Sequence, residues 1–206
     1  MSGALFGCEL LFRSPHVCAA TVDMWSVPAQ DRATLHVIET ALAWGLPSLC
    51  GPRHAFVNTT RAVLVGALAV PTLPRQMGIE VVESVVVDDE VLDGVRQFRS
   101  AGHLIAVDDF TGTVSQTKLL PHADIVKIDI RELDRQGIDL LVRARTYGAW
   151  TVVERVETAV DLRRCEDLGF DLVQGNHLGP AEVLHVGSHR RQALAAATVS
   201  TARSTA

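Results

Sequence analysis

The chain has 206 residues, of which 48% are hydrophobic and 21% charged, with a formal net charge of -5. That is enough apolar material to bury a full core in one domain. The acidic balance excludes a broad electrostatic footprint for duplex DNA or an anionic membrane, so neither is an expected partner, and an anionic ligand needs local help such as a bound cation.

The start lacks the basic, apolar and small-residue pattern of a secretory signal, and no run approaches the ~20 apolar residues of a membrane span, so a cytoplasmic location is expected. Cys8, Cys18, Cys50 and Cys165 form no CxxC pair and read as reduced thiols, some of them in the core.

In chain order, the first apolar run is Cys8-Glu9-Leu10-Leu11, followed by helical periodicity over residues 31–44 and a second run, Ala55-Phe56-Val57-Asn58. Ile79-Glu80-Val81-Val82-Glu83 comes next, then a helix over 89–100 and the run ending in Asp108-Asp109. Ile125-Val126-Lys127-Ile128-Asp129 precedes a helix over 131–147, Thr151-Val152-Val153-Glu154 precedes one over 159–168, and Leu172-Val173-Gln174 is the seventh run. Glycines at 102, 148 and 169 punctuate the helix ends before the next run, as αL caps do. After Pro180 the pattern changes: a basic segment at 189–191 leads to an Ala-rich stretch expected to form a terminal helix, with residues 198–206 frayed. The expected division is a barrel domain over 1–184 and a helix with a disordered tail over 185–206.

Alternating strands and helices point to βα units and a parallel sheet. Each of the seven strands carries a polar residue at or near its C-terminal end, where a (β/α) barrel builds its site, so an α/β fold of TIM-barrel type is expected. A doubly wound sheet is the alternative, but it lacks a Gly-rich phosphate loop and would gather its polar residues at one switch point.

Charged groups inside apolar runs are costly to bury unless paired or bound to metal. Glu9, Asn58, Glu80, Asp108, Asp109 and Glu154 offer oxygen donors of the type that hard cations such as Mg²⁺ and Mn²⁺ prefer. Asp108 and Asp109 repel one another unless a cation or hydrogen bonds compensate, although Asp-Asp alone is also a common turn or N-cap. Lys127 reads equally as a structural ion pair, with Asp129 or a neighbouring strand-end acid, or as an ammonium beside a nucleophilic water or developing phosphate charge. Glu154 is a candidate ligand or general base, Glu157 a candidate for the helix N-terminus, and Gln174 a candidate for orienting water or holding a turn. His185 and His189 are spaced as HxxxH but have no third zinc ligand nearby.

These residues resemble the EAL family of cyclic di-GMP phosphodiesterases over about residues 7–180. The signature stands as Glu9-Leu10-Leu11 with Arg13 following, and the later motifs as Phe56-Val57-Asn58, Glu80-Val81-Val82-Glu83, Asp108-Asp109-Phe110, Lys127-Ile128-Asp129, Glu154-Arg155-Val156-Glu157-Thr158 and Gln174-Gly175. The phrasing is closest to the EAL part of proteins that carry an HDOD domain in tandem. The resemblance implies hydrolysis of cyclic di-GMP to linear pGpG in bacterial second-messenger signalling. It implies a Mg²⁺ or Mn²⁺ pair on Glu9, Asn58, Glu80, Asp108 and Asp109. Lys127, Glu154 and Gln174 would be catalytic, Arg13 would bind the ligand, and Glu83 and Glu157 would support a loop.

Three departures accompany the resemblance. The family's N-terminal segment and first strand are missing ahead of Glu9, which leaves a barrel edge to be covered by a loop, the tail or another chain and implies self-association. The loop after Asp109 reads Phe110-Thr111-Gly112-Thr113 instead of the usual Gly-Thr-Gly order, with a cost if a threonine must take φ > 0. The segment from Gln174 to Pro180 is one residue short. An inactive EAL domain acting as a cyclic di-GMP receptor or protein-interaction module is therefore the alternative; the intact ligand set favours the enzyme.

Overall fold

A computed structural model describes residues 4–13, 25–184 and 193–201. Seven parallel strands follow one another in chain order: β1 (Leu5–Arg13), β2 (His54–Thr59), β3 (Met77–Val81), β4 (Ile105–Val107), β5 (Ile125–Asp129), β6 (Trp150–Glu154) and β7 (Leu172–Gln174). A short β8 (Glu182–Leu184) and a nine-residue β9 (Ala193–Thr201) complete the sheet. β9 runs antiparallel to β1 along most of its length and pairs with β7 at Leu172, Val173 and Gln174, so it closes the ring. The remaining length of that second edge pairs with β8. The barrel thus has eight staves, seven parallel and one antiparallel.

The closing strand corrects two expectations. The Ala-rich stretch is a strand and not a helix, although Ala is the strongest helix former. Pairing explains the override, because two open sheet edges supply partners for its backbone groups on both sides, and Val199 and Ser200 are buried there. The edge left beside β1 is therefore covered by the tail of the same chain and supplies no motive for self-association. His185 and His189 lie outside the described residues, as does Cys18.

Between the strands lie α1 (Val27–Trp44), α2 (Leu46–Cys50), α3 (Arg61–Leu64), α4 (Asp89–Ser100), α5 (Val114–Thr117), α6 (Ile130–Gln136), α7 (Asp139–Ala144) and α8 (Ala159–Asp167). α1 buries Ala33, Val37, Ile38 and Ala41 at helical spacing against Leu10, Ala55 and Val57 of β1 and β2. Each of the buried Val, Ile and Leu side chains among them contributes roughly 1.5–3 kcal/mol. Asp88 caps α4 by accepting from the Val91 amide at 3.0 Å, and Thr158 and Asp161 form a reciprocal capping box on α8. The single helix expected over 131–147 is broken in two at Gly137, which has φ 74°.

Inside the barrel, Phe56, Ala106, Ile125, Val152, Leu172 and Val199 form an apolar floor. A Cβ at position 78 would come within 2.4 Å of the Phe56 ring, so the glycine there makes room for it. With the floor apolar, the polar residues of the same strands are left to the opposite, C-terminal end. Among the described residues no helix is long and apolar enough to cross a membrane. Cys8, Cys50 and Cys165 are buried free thiols, and burial pushes Cys8 up to about 12 and Cys165 to about 11.

Candidate active site

A pocket of about 740 Å³ opens at the C-terminal end of the barrel, lined by Glu9, Arg13, Asn58, Glu83, Asp108, Asp109, Lys127, Glu154, Glu157 and Gln174 among others. Strand alternation explains the convergence. In β1 the side chains of Cys8 and Leu10 pack outward under α1, which turns Glu9 inward. Glu80 of β3 and Lys127 of β5 are buried charges at the equivalent layer.

Lys127 is the hub. Its Nζ lies 3.3 Å from Glu9 Oε2, 3.0 Å from Asp108 Oδ1 and 2.9 Å from Glu154 Oε1, and it also contacts Glu80 Oε1. Of the ion-pair partners expected for Lys127, it meets the neighbouring strand-end acids and not Asp129, which instead caps α6 through the Arg131 amide and pairs with the Arg131 and Arg155 side chains. Asn58 Nδ2 donates to Glu9 Oε1 at 3.3 Å, and Gln174 Nε2 donates to Glu9 Oε2 at 2.9 Å. Side chains from β2, which pairs with β1, and from β7, which lies beyond β9, thereby hold one carboxylate.

Four carboxylates around one ammonium leave an excess of negative charge in a buried place, and the protonation states record it. Burial pushes the Glu80 carboxyl well up, with repulsion from Glu9 adding to it. Burial likewise raises Glu154 to about 8, outweighing the pull of Lys127. Asp108 goes the other way: burial opposes its ionisation, but Lys127 and hydrogen bonds from Glu80 and Lys127 hold it below the usual range. Burial would discharge Lys127, and the carboxylates of Asp108, Glu154, Glu80 and Glu9 overcome that and raise it well above an ordinary lysine. The site therefore retains protons on carboxyl groups where a cation would otherwise balance the charge.

The donor set fits a hard divalent ion. Asn58 Oδ1 and Gln174 Oε1 are buried acceptors without a hydrogen-bond partner among the described residues, and a hard ion takes such oxygens readily. Glu83, Asp108 and Asp109 bring carboxylate oxygens within 4.8 Å of one another. Glu83, expected only to support a loop, thus joins the candidate ligands. Glu157 stands at the exposed rim, one residue before the Thr158 cap.

Asp108 and Asp109 both reach the pocket because the chain turns sharply after β4, with Asp109 at φ 39°. That conformation is uncommon for a non-glycine residue and needs support. Gln116 of α5 provides it, and sequence reasoning missed it. Its Nε2 donates to Asp109 O at 2.9 Å, and its Oε1 accepts from the Thr111 amide at 3.0 Å. Phe110 N donates to Lys127 O at 2.8 Å, tying the same turn to β5. The positive-φ positions of this loop are Asp109 and Gly112, so neither threonine bears the cost expected of the altered glycine order. Arg13 lines the pocket with its Nε buried and lacking a partner among the described residues.

The chain belongs to the EAL family: the EAL domain model matches residues 46–181. β1 precedes that match, so Glu9 is tied to the site by its bonds to Asn58, Lys127 and Gln174. The chain is 31% identical over 183 residues to the cyclic di-GMP phosphodiesterase CdgJ of Vibrio cholerae serotype O1, covering 86% of this chain and 41% of that protein. It is 28% identical over 176 residues to YuxH of Bacillus subtilis, an uncharacterized protein of which it again covers 41%. The chain thus spans about two fifths of the curated relatives it matches. Among solved structures, YkuI of Bacillus subtilis in complex with cyclic di-GMP and calcium superposes with a TM-score of 0.65 at 18% identity, covering 88% of this chain and 52% of that one. The calcium and cyclic di-GMP complex of Klebsiella pneumoniae BlrP1 gives 0.61 at 26% identity, covering 81% and 49%.

Proposed function

We propose that this protein is a metal-dependent phosphodiesterase that hydrolyses cyclic di-GMP to linear pGpG in bacterial second-messenger signalling, acting in the cytoplasm. The observation that carries the reading is Lys127 set among Glu9, Glu80, Asp108 and Glu154, with the carbonyl oxygens of Asn58 and Gln174 beside them lacking a hydrogen-bond partner among the described residues. Such an excess of buried oxygen donors is costly unless cations occupy it. Buried free thiols support the reducing location.

Glu9, Asn58, Glu80, Asp108 and Asp109 would hold Mg²⁺ or Mn²⁺, with Glu83 at the edge of the same group. When bound, two such ions supply an activated water and neutralise charge on the phosphoryl oxygens. Glu154, raised to about 8, is a base matched to taking a proton from the attacking water near neutral pH. Lys127 fixes the Glu154 and Asp108 carboxylates through its ion pairs and stabilises negative charge as it develops. Gln174 orients Glu9, and Arg13 binds the nucleotide. The water oxygen bonds to phosphorus, the bond from phosphorus to the 3'-oxygen breaks, and that oxygen takes up a proton, leaving a 5'-phosphate.

The test is incubation with cyclic di-GMP and Mg²⁺ or Mn²⁺, following pGpG by chromatography. Product that disappears with chelator and with Glu9→Ala supports the reading. Binding without turnover would replace it with the receptor reading.

A further inference from the structure

Arg155 follows Glu154 directly and lines the same pocket. Its backbone has φ 58°, and with Asp109 it is one of two non-glycine residues at positive φ among the described residues. For an L residue with a long side chain this costs roughly 1–2 kcal/mol. Asp109 has the Gln116 clamp and a place among the carboxylates, whereas among the described residues Arg155 has a single ion pair, Nε to Asp129 Oδ2 at 2.8 Å, with a side chain 57% exposed. The pair joins a buried carboxylate to a guanidinium that is more than half in solvent, and screening at that end limits how far it can offset the strain. Asp129 does not need it either, since Arg131 already supplies its side chain and its amide.

The charge inventory of the pocket says what the exposed end of the guanidinium is for. Among the described residues the pocket-lining cations are Arg13, Lys127 and Arg155, and Lys127 is surrounded by carboxylates. A ligand carrying phosphates meets an acidic wall unless cations stand at the rim. Among the described residues the Arg155 guanidinium donates no hydrogen bond from its terminal nitrogens, and that edge is the fork that matches phosphate oxygens in a bidentate pair.

We propose that Arg155 binds a phosphate of the substrate, with Asp129 holding its Nε edge so that the other edge faces the pocket. This inference rests on the cyclic di-GMP reading and adds a binding residue to it. The test compares wild type, Arg155→Gly and Arg155→Lys for cyclic di-GMP affinity by calorimetry in Ca²⁺, the ion present in the YkuI and BlrP1 complexes, together with thermal unfolding midpoints. Glycine takes the same backbone conformation without strain, so the midpoint is expected to hold while Kd rises about tenfold. Lysine, which keeps the charge and loses the fork, is expected to fall between. Equal affinity in wild type and Arg155→Gly, or a loss of affinity only in step with a lowered midpoint, would overturn the inference while leaving the proposed function standing. A wild type that binds no cyclic di-GMP would overturn both.

Discussion

Gln174 Nε2 donates to Glu9 Oε2 at 2.9 Å, joining the side chains of two strands whose backbones are linked only through β9. Within β9, Ala197 is the Cα partner of Glu9 and Val199 the partner of Gln174. The spacing of this pair is therefore set by the closing stave. Ala197→Pro removes a backbone donor from its middle and is expected to destabilise the protein by about 2–4 kcal/mol in urea denaturation. The register has its own check. Thr198 is opposite Cys8, so Thr198→Cys in a Cys50→Ser background should form a disulfide under mild oxidation, seen by peptide mass spectrometry. Its absence would mean that β9 does not lie where the barrel needs it.

Lys127 balances part of the charge of four carboxylates. Replacing it by methionine keeps the bulk of the stem and leaves those carboxylates without their ammonium. The expected loss in the metal-free protein is about 3–5 kcal/mol at neutral pH, measured by denaturant unfolding. Added Mg²⁺ should recover part of it.

The raised Glu154 carboxyl fixes a sign for pH. Its folded pKa is about 8 against an ordinary 4.5, so in that interval the native state holds a proton that the unfolded chain releases. The contribution to stability is complete below about 4.5 and is lost as pH rises through about 8. Metal-free wild type should therefore lose stability relative to Glu154→Gln on going from pH 5 to 8. A flat difference between the two proteins would show that Glu154 ionises normally. Metal binding should displace protons from this site, so calorimetry near pH 7 in buffers of different ionisation enthalpy is expected to report proton release.

Gln116 acts on Asp109 only through the backbone of the turn. Gln116→Ala forfeits the bonds to the Asp109 carbonyl and the Thr111 amide, together with longer ones to Asp108 O and the Thr111 and Thr113 hydroxyls, for about 2 kcal/mol of stability. Misplacing Asp109 should cost more in turnover, about ten- to hundredfold in kcat with a smaller change in KM. Gln116→Glu, which keeps the acceptor toward Thr111 but not the donor toward Asp109, should rescue stability better than rate.

The seven parallel strands were legible because each carries a short apolar run with its polar residue at the end that faces the pocket. Glu9, Asn58, Asp108, Lys127, Glu154 and Gln174 were readable as one site for the same reason. β9 was not, since Ala193 to Ala197 satisfies helix propensity locally and becomes a strand only through partners about 12 residues away in β8 and about 185 residues away in β1. Gln116 looked like any polar residue of a short helix, and nothing in its neighbours announces that it turns back to hold Asp109. The left-handed backbone of Arg155 was equally hidden, because an arginine gives no local signal for it. The receptor alternative drew on an open barrel edge and a strained loop; the tail covers the first, and Thr111 and Thr113 avoid the second.

The most direct measurement is turnover of cyclic di-GMP in ¹⁸O-water with Mg²⁺ or Mn²⁺, analysed by mass spectrometry. Hydrolysis by a site built around Lys127 and Glu154 should give pGpG with one ¹⁸O in its 5'-phosphate and none in the ribose. No product, or label elsewhere in the dinucleotide, would contradict it.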